Sequence, residues 1–318
     1  MTYRELLTRG ENILRENDII EYKVDAFSLL ENVFSMNKTS FLLRATENIS
    51  DETKIEEYMK KINMRAKHIP LQHITFEQDF MGYKFYVNED VLIPRWDTEI
   101  LVEKTLDLCK NINAKKSDTD NVNQEDTIAN NNKQNICTKK SGVGNIEILD
   151  MCTGSGCIGI SLKKLCKNSV VTAVDLSKKA LEVARKNAKS LDADVTFLES
   201  DLFEKLESET FDIIVSNPPY IRTNDIDGLM DEVKLHEPFM ALDGSFDGLK
   251  FYREITTAST KHLKKNGYLI YEIGCDQAYE VRAIMKNNGF DDIETIKDLA
   301  GLDRVIYGRL DNGGNKNV

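Results

Sequence analysis

Four consecutive residues combine groups that could hold a planar NH2 group: Asn217, Pro218, Pro219 and Tyr220. The two prolines fix φ and remove two N–H donors, so this loop is stiff and rich in hydrogen-bond acceptors. The Asn217 side-chain oxygen and the Pro218 carbonyl could both accept hydrogen bonds from one NH2 group, and the Tyr220 ring could stack on its plane. We therefore expect Asn217, Pro218 and Tyr220 to be catalytic and all four residues to bind substrate.

The chemistry that this motif suits is attack by a weak nitrogen nucleophile. The lone pair of a planar NH2 group is delocalised, so its nitrogen attacks poorly. Holding both hydrogens of the group behind an activated methyl group would favour in-line attack through positioning and electrostatics, with no covalent intermediate. A simpler interpretation, a proline turn that only ends a strand, stays open on these four residues alone.

A second candidate site is the glycine-rich run DMCTGSGCIG at residues 150–159. It lies between the apolar run IEILDM and the helical pattern ISLKKLC. Glycines at such a turn let the backbone approach a ligand beside the free N–H groups of a helix N-terminus. Asp175 ends the next apolar run, where its carboxylate could accept hydrogen bonds from ribose hydroxyls, and Asp201 follows the third. The spacing also satisfies G-x-G-x-x-G, so a nicotinamide or flavin dinucleotide competes with S-adenosylmethionine as the ligand.

Both sites follow strands in an alternating pattern. The apolar runs IEILDM, VVTAVD, VTFLES, FDIIVSN, YLIYEIG and RVIYGRL alternate with helical patterns from residue 146 onward. Such alternation predicts βαβ units, a mostly parallel sheet and helices on both of its faces. Ligands in such sheets bind at the carboxyl ends of the strands, so we expect the two sites to meet there.

The chain before the sheet divides into helices and a hairpin. In the first 70 residues, Thr2 and Ser50 mark the starts of helices whose apolar residues recur at helical spacing. ITFEQDF and YKFYV then predict a β-hairpin around a Met-Gly turn. The predicted divisions are a helical substrate-recognition domain at 1–72, a β-hairpin linker at 73–95, a catalytic α/β domain at 96–311 and a flexible tail at 312–318.

Residues 111–144 differ abruptly in composition from the segments on either side. Asparagine accounts for eight of the 25 residues from 111 to 135, and apolar residues are scarce. Such a segment cannot bury enough apolar surface to offset the entropy of ordering it. We predict a disordered insertion within the catalytic domain.

The composition argues against several classes of protein. Among 318 residues, 42 Lys and Arg face 53 Asp and Glu, a net charge of −11 that disfavours DNA as a partner. There is no apolar run of about 18 residues and no leader with a basic start, so we expect neither a membrane span nor secretion. The six cysteines are scattered without metal-ligand spacing, which predicts no metal site and a reducing, cytoplasmic location.

Over nearly its whole length, the sequence resembles the protein-(glutamine-N5) methyltransferases that modify peptide chain release factors. The resemblance rests on DMCTGSG and NPPY, on PLQHITFEQDFMGYKFYVNEDVLIPRWDTEILVE before them, and on HEPFMALDGSFDGLKFYREI, EIGCDQAYEV and DLAGLDRVIY after them. The fold that it implies is α/β: a Rossmann-like class I S-adenosylmethionine-dependent methyltransferase sheet of seven strands, the last antiparallel. A small N-terminal helical domain would be joined to this sheet by a β-hairpin.

The resemblance also implies a reaction and a site. A monomeric enzyme would transfer a methyl group from S-adenosyl-L-methionine, leaving S-adenosyl-L-homocysteine. The acceptor would be the N5 atom of the glutamine in the Gly-Gly-Gln motif of class 1 release factors, so the enzyme would modulate translation termination. Residues 217–220 would hold the glutamine amide. The residues that would contact the cofactor are Cys152, Thr153, Gly154, Ser155, Gly156, Asp175, Asp201, Leu202 and Asn217.

Two departures from the family's pattern concern this site. Cys152 stands where the family usually has glycine, which suggests that strict glycine geometry is required only later in the loop. Trp96 and Asp97 replace the family's usual Pro-Glu, and we expect Trp96 to pack at the domain junction. Arg95 and Glu99 are candidate substrate-binding residues, and an equal alternative is that they only tie the hairpin to the sheet.

Three other functions compete with this interpretation. An adenine-N6 nucleic-acid methyltransferase would use the same four-residue motif, but it would also have to flip a base and hold phosphates, and no Lys/Arg-rich domain is evident. A non-catalytic S-adenosylmethionine-binding protein would bind the cofactor without turnover and be indifferent to replacement of Tyr220. A dehydrogenase would bind a nicotinamide cofactor instead.

Overall fold

A computed structural model describes residues 1–125 and 145–311, and the side chains of all of these except 115–125. The first part of the chain forms a cluster of helices around its own apolar core. Thr2 caps the first helix, as predicted, and the structure adds a reciprocal capping box with Glu5. Asp51 rather than Ser50 caps the fourth helix. The helices are α1 (Tyr3–Glu16), α2 (Tyr22–Phe34), α3 (Lys38–Arg44), α4 (Glu52–Arg65) and α5 (Leu71–Thr75).

The predicted hairpin follows, with β1 (Glu77–Phe80) paired antiparallel to β2 (Tyr83–Tyr86). Its two turn residues, Met81 and Gly82, both have positive φ, of 51° and 76°. Such a turn matches the twist of the flanking strands. The inward aromatic side chains of the hairpin are fully buried in the same core as one face of the main sheet, so the hairpin packs as part of that core.

The main sheet has seven strands in the order β5-β4-β3-β6-β7-β9-β8. The first five in this order are parallel, and β9 runs antiparallel to both of its neighbours. The predicted fold class, a Rossmann-like methyltransferase sheet with its last strand antiparallel, is confirmed. The strands are β3 (Ile146–Met151), β4 (Ser169–Asp175), β5 (Val195–Glu199), β6 (Phe211–Ser216), β7 (Leu263–Glu272), β8 (Phe290–Lys297) and β9 (Asp303–Leu310).

Helices cover both faces of this sheet. They are α6 (Thr98–Glu125), α7 (Cys157–Leu165), α8 (Lys178–Ser190), a 3₁₀-helix (Thr223–Gly228), α9 (Asp231–Lys234), α10 (Phe239–Leu242), α11 (Lys250–His262) and α12 (Ala278–Asn287). Because successive strand residues point to opposite faces, Ile148 packs with side chains of α6 and α7, and Leu149 packs with those of α11 and α12. The sheet is thus buried on both sides, as its continuous apolar runs require.

Helix α6 corrects the predicted start of the disordered insertion. The helix continues to Glu125, so residues 111–125 are helical, whereas 126–144 and the predicted tail at 312–318 lie outside the described residues. Two side chains tie the start of this segment down: Ile112 packs against the core, and Asn113 Oδ1 accepts a hydrogen bond from Asn168 Nδ2 at 2.9 Å. Once a helix has begun, each further residue that it orders adds one backbone hydrogen bond, so a helix can continue into a polar segment. The polar composition therefore did not reveal where this helix ends.

Two arginines form ion pairs with glutamates in the chain segment that follows β6. Buried Arg65 of α4 donates through Nε to Asp25 Oδ2 at 2.7 Å and through Nη2 to Glu232 Oε1 of α9 at 2.6 Å. Arg95 Nη2 donates to both carboxylate oxygens of Glu237, at 2.7 and 2.8 Å. The N-terminal helices and the segment between the hairpin and α6 are therefore both ion-paired to the chain segment that follows β6.

Two negative findings apply to residues 1–125 and 145–311. No helix there combines the length and the apolarity that crossing a membrane would require. Over the same residues, no three His, Cys, Asp or Glu side chains are grouped so as to hold a metal ion.

Candidate active site

The carboxyl ends of β3, β4 and β6 line one cavity of ≈ 980 Å³, part of which opens to solvent. The two predicted sites do meet there. The predicted residues on its wall are Arg95, Cys152, Thr153, Gly154, Ser155, Asp175, Asp201, Leu202, Asn217 and Pro219, while Glu99, Gly156, Pro218 and Tyr220 lie outside the lining.

The glycine-rich loop turns through three residues with left-handed backbone geometry. These are Cys152, Gly154 and Gly156, with φ of 62°, 55° and 82°. A Cβ on Gly156 would also lie 2.8 Å from Ile160 Cδ1 and 3.1 Å from the Ala184 Cβ, so α7 and α8 could not approach each other as they do. The suggestion that glycine geometry is required only later in the loop is therefore wrong: Cys152 adopts the same region despite its side chain.

A buried carboxylate supports the loop from below. Asp150 Oδ2 accepts hydrogen bonds from Thr153 Oγ1 at 2.5 Å and from the Gly159 N–H at 2.9 Å. A Cβ on Gly159 would lie 2.9 Å from the same oxygen, so the third glycine of the spacing serves this close packing. Asp150 Oδ1 has no partner, and burial raises the pKa of Asp150 to about 7.

This raised pKa predicts a pH-dependent difference in stability between the wild type and Asp150→Asn. Between the ordinary value of 3.8 and about 7, the folded protein keeps the Asp150 proton and the unfolded chain does not. The free energy of unfolding should therefore fall as pH rises through this window, by on the order of 4 kcal/mol in all. The Asn side chain is neutral throughout, so other titrating groups cancel in the comparison. Urea unfolding of both proteins from pH 4 to 8 measures this difference, and a constant difference across that range would contradict the assigned pKa.

Asp175 closes β4 and joins the loop to the next helix. Its Oδ2 accepts a hydrogen bond from the Gly154 N–H and its Oδ1 from the Ser177 N–H, both at 2.8 Å. Burial raises the pKa of Asp175, and these two N–H donors oppose that rise. Each carboxylate oxygen keeps a second lone pair, and Asp175 lines the cavity, so ribose hydroxyls bound there could donate to it.

The predicted substrate motif starts where β6 ends. The Asn217 Nδ2 atom lies 3.5 Å from Thr98 Oγ1, and the Tyr220 hydroxyl donates to Glu272 Oε1 at 3.3 Å. Behind the motif, Gln277 Nε2 donates to the Tyr220 carbonyl at 2.9 Å. The prolines are buried, whereas the asparagine and tyrosine are each partly exposed, so both ends of the motif can meet a ligand.

The loop after α10 packs tightly against this motif. A Cβ on Gly244 would lie 2.8 Å from the Tyr220 Cα, and one on Gly248 would lie 2.4 Å from the Tyr220 carbonyl oxygen. Gly248 also has a φ of 72°, which favours glycine independently. Both glycines therefore let the segment DGSFDGLK lie directly on the motif backbone, and this segment carries part of the resemblance noted in the sequence.

Arg95 and Glu99 have different roles in the structure. The Glu99 Oε1 atom accepts a hydrogen bond from the Met81 N–H at the hairpin turn, at 2.5 Å, and Glu99 does not line the cavity. The sequence left two roles open for Glu99, substrate binding and attachment of the hairpin to the sheet. The structure supports attachment, because the hairpin turn donates a hydrogen bond to the Glu99 carboxylate. Arg95 lines the cavity while paired with Glu237. Trp96 is 64% exposed, so the expectation that it packs at the domain junction is wrong.

Sequence reasoning missed two residues that support the motif, Thr98 and Glu272. Both are buried, and Thr98 Oγ1 donates to Glu272 Oε2 at 2.6 Å. A glutamate within the apolar strand YLIYEIG is a signal that could have identified Glu272. Thr98 carries no such signal, because a threonine at the start of a helix is most simply interpreted as a cap.

The charges of the residues that line the cavity indicate which cofactor fits. Asp90, Asp175 and Asp201 line it, and among the described lining residues Arg95 is the only cation, already paired with Glu237. A dinucleotide would place the two negative charges of its pyrophosphate beside these carboxylates, which is unfavourable. S-adenosylmethionine has a sulfonium, an ammonium group and ribose hydroxyls, all suited to carboxylate neighbours. The residues present therefore fit S-adenosylmethionine better than a dinucleotide.

Comparison with known proteins agrees with this site. Residues 5–75 match the family model described as the PrmC N-terminal domain, and residues 136–236 match the methyltransferase small domain. The chain is 40% identical to the release factor glutamine methyltransferase of Clostridium acetobutylicum, over 96% of this chain and 98% of that protein. Identity is 37% to the protein of the same name from Clostridium botulinum, over 97% and 99% of the two chains, and 34% to that from Geobacter sulfurreducens, over 97% of each. Similarity of this extent shows that the chain belongs to the release factor glutamine methyltransferase family.

Proposed function

We propose that this protein transfers a methyl group from S-adenosyl-L-methionine to the side-chain amide nitrogen of the glutamine in the Gly-Gly-Gln motif of a class 1 release factor. The observation that carries the proposal is the position of residues 217–220. The motif begins where β6 ends, Asn217 and Pro219 line the cavity, and Asp175 and Asp201 line the same cavity. A planar NH2 acceptor and a ribose-containing methyl donor would therefore bind next to each other.

The residues of the chain promote the reaction by holding the amide nitrogen. The Asn217 oxygen and the Pro218 carbonyl accept the two N–H hydrogens, so the nitrogen is oriented and its lone pair is directed toward the donor. When bound, S-adenosylmethionine supplies a methyl group on a positively charged sulfur, with S-adenosyl-L-homocysteine as the leaving group. The N–CH3 bond forms as the S–CH3 bond breaks, and one amide proton then passes to water. No general base is required, because that proton becomes acidic once the new bond has formed.

The acidic cavity accounts for the choice of cofactor in this proposal. Asp175 would accept hydrogen bonds from the ribose hydroxyls, and residues 152–156 would contact the amino acid portion. Asp201 and Leu202 would lie beside the adenosine. Leu202, three residues after the end of β5, has left-handed backbone geometry with a φ of 46°.

The N-terminal helices and the loop after the motif are the proposed recognition surface for the protein substrate. Arg65 of α4 is ion-paired to Glu232 of α9, and α9 lies between the motif and α10 in the chain. The helical cluster is thus held in a defined position relative to the loop beside the active site. A release factor could contact both at once, and such a factor works in the cytoplasm, where we place this reaction.

The rival substrate, adenine in a nucleic acid, is disfavoured by charge. An enzyme that flips a base must also hold phosphates, usually with lysine and arginine side chains. Among the described residues that line the cavity, the one cation, Arg95, is already paired, and the net charge of the chain is −11. We therefore propose a protein substrate, no DNA partner and a monomeric enzyme.

The test is to incubate the purified protein with S-adenosylmethionine and an unmodified class 1 release factor, and to locate added methyl groups by peptide mass spectrometry. We expect a gain of one methyl group on the Gly-Gly-Gln glutamine. A release factor with that glutamine replaced by alanine serves as control and should gain none. An adenine-containing oligonucleotide is tested in parallel. Methylation of the oligonucleotide alone, or cofactor binding with no transfer to the release factor, would overturn the proposal.

A further inference from the structure

We propose that Glu272 is a positioning residue that acts through Thr98 to turn the Asn217 side-chain oxygen toward the substrate. The inference rests on the proposed function, since it assigns a purpose to the orientation of the Asn217 amide. Glu272 ends β7, Thr98 begins α6 and Asn217 follows β6, so three separate elements bring these side chains together. Glu272 and Thr98 are each only 2% exposed, so water does not compete freely for their hydrogen bonds.

The argument depends on which groups can donate. An ionised carboxylate only accepts hydrogen bonds. The Thr98 hydroxyl lies 2.6 Å from Glu272 Oε2, so its single proton is used there. Toward Asn217 the hydroxyl can then only accept, which requires the Asn217 NH2 group to face Thr98, as it does at 3.5 Å. The carboxamide oxygen of Asn217 is consequently left for the substrate amide.

The opposite orientation would be unproductive. If the Asn217 amide were flipped, its NH2 group would face the N–H donors of the substrate, and two sets of donors would oppose each other. An asparagine by itself has no preference between the two orientations, because its oxygen and nitrogen ends have nearly the same shape. The preference must come from a neighbour of fixed polarity, and the buried carboxylate is such a neighbour.

Each carboxylate oxygen of Glu272 accepts a hydrogen bond from a neighbouring hydroxyl group. Burial raises the pKa of Glu272, while hydrogen bonds from Thr98 and Tyr220 and the nearby Arg304 guanidinium oppose that rise. The Tyr220 hydroxyl donates to the second carboxylate oxygen, at 3.3 Å. One carboxylate therefore holds both functional ends of the motif, the asparagine through Thr98 and the tyrosine directly.

Two substitutions separate this role from simple packing. Thr98→Val keeps the shape of the side chain and removes the hydroxyl, whereas Thr98→Ser keeps the hydroxyl and removes a methyl group. We expect kcat for release factor methylation to fall roughly 10-fold or more in the valine variant and to return to within about 3-fold of wild type in the serine variant. The affinity for S-adenosylmethionine, measured by calorimetry, should change little in either.

Glu272→Gln directly tests the direction of the hydrogen bond between residue 272 and Thr98. The glutamine side chain has the same size as glutamate, but its NH2 group can donate to the Thr98 hydroxyl. The Thr98 proton is then free to point at Asn217, and we expect kcat to fall several-fold without a matching rise in KM. A readout that needs no substrate is the side-chain NH2 resonance of Asn217 in nitrogen-15 NMR, whose solvent exchange should accelerate in Thr98→Val and Glu272→Gln but not in Thr98→Ser.

The outcomes distinguish this inference from the proposed function. If the wild type does not methylate a release factor, the proposed function fails, and the NMR comparison alone decides the orienting role. Equal kcat values in the wild type, Thr98→Val and Glu272→Gln would overturn the inference. So would equal losses in Thr98→Val and Thr98→Ser, since that result would indicate packing rather than the hydroxyl. Should the valine variant fail to fold, Glu272→Gln carries the test.

Discussion

Replacing Asn217 with alanine is expected to lower kcat for amide methylation by about 10²-fold or more while the fold survives. The side chain is only partly buried and contributes no apolar packing, so its removal should cost little stability. What is lost is one of the two acceptors that orient the substrate NH2 group. The remaining acceptor, the Pro218 carbonyl, cannot by itself fix the direction of the nitrogen lone pair. Single-turnover methylation with saturating cofactor measures this effect, because it isolates transfer from product release.

Asn63→Ala provides the matched control, since Asn63 is exposed on α4 and lies outside the cavity. We expect the control to retain wild-type kcat. Thermal unfolding of both variants should give melting temperatures near that of the wild type. Near-normal turnover in Asn217→Ala would refute its catalytic role, and a large fall in melting temperature would indicate a structural one.

Replacing Asp175 with alanine is expected to weaken S-adenosylmethionine binding by roughly 10²-fold, because hydrogen bonds to a charged acceptor contribute about 1.5–3 kcal/mol each. The substitution removes the proposed ribose acceptor. It also removes the partner of the Gly154 N–H, which anchors the glycine-rich loop to the end of β4. Isothermal titration calorimetry with the cofactor measures the change in Kd. Asp175→Asn, which keeps one acceptor and the size of the side chain, should lose less.

The control for this prediction is Asp194→Ala, which removes an exposed aspartate just before β5. Its Kd should equal that of the wild type, which excludes a general effect of net charge on a cationic ligand. Unchanged affinity in Asp175→Ala would place the ribose elsewhere. It would also remove the main argument that the carboxylates lining this cavity bind the cofactor.

Much of the fold follows from local patterns. The alternation of apolar runs and helical spacing predicted the parallel sheet, and the Met-Gly turn predicted the hairpin that the structure contains. The cap at Thr2 was also readable, because its groups lie three residues apart. Features of this kind depend on neighbours along the chain, so periodicity and residue type suffice to predict them.

Predictions failed where a residue's surroundings come from distant segments. Trp96 is exposed although a lone tryptophan usually packs, and Cys152 adopts left-handed geometry that its type disfavours. Helix α6 continues beyond residue 111 because Ile112 and Asn113 find partners on the sheet side of the molecule. For Cys152 and α6, the surrounding structure outweighs a local backbone preference that is worth only about 1 kcal/mol.

The sequence by itself determined the chemistry that the site can offer: a stiff pair of acceptors at Asn217 and Pro218, a glycine loop before a helix, and acids after the next strands. Only the tertiary structure decided how that chemistry is oriented. Thr98 lies 119 residues from Asn217 and 174 from Glu272 in the chain, yet these side chains form one partly buried hydrogen-bond relay. The physical reason is that hydrogen-bond polarity depends on which donors and acceptors meet, and residues so far apart meet only after the sheet and α6 have packed together.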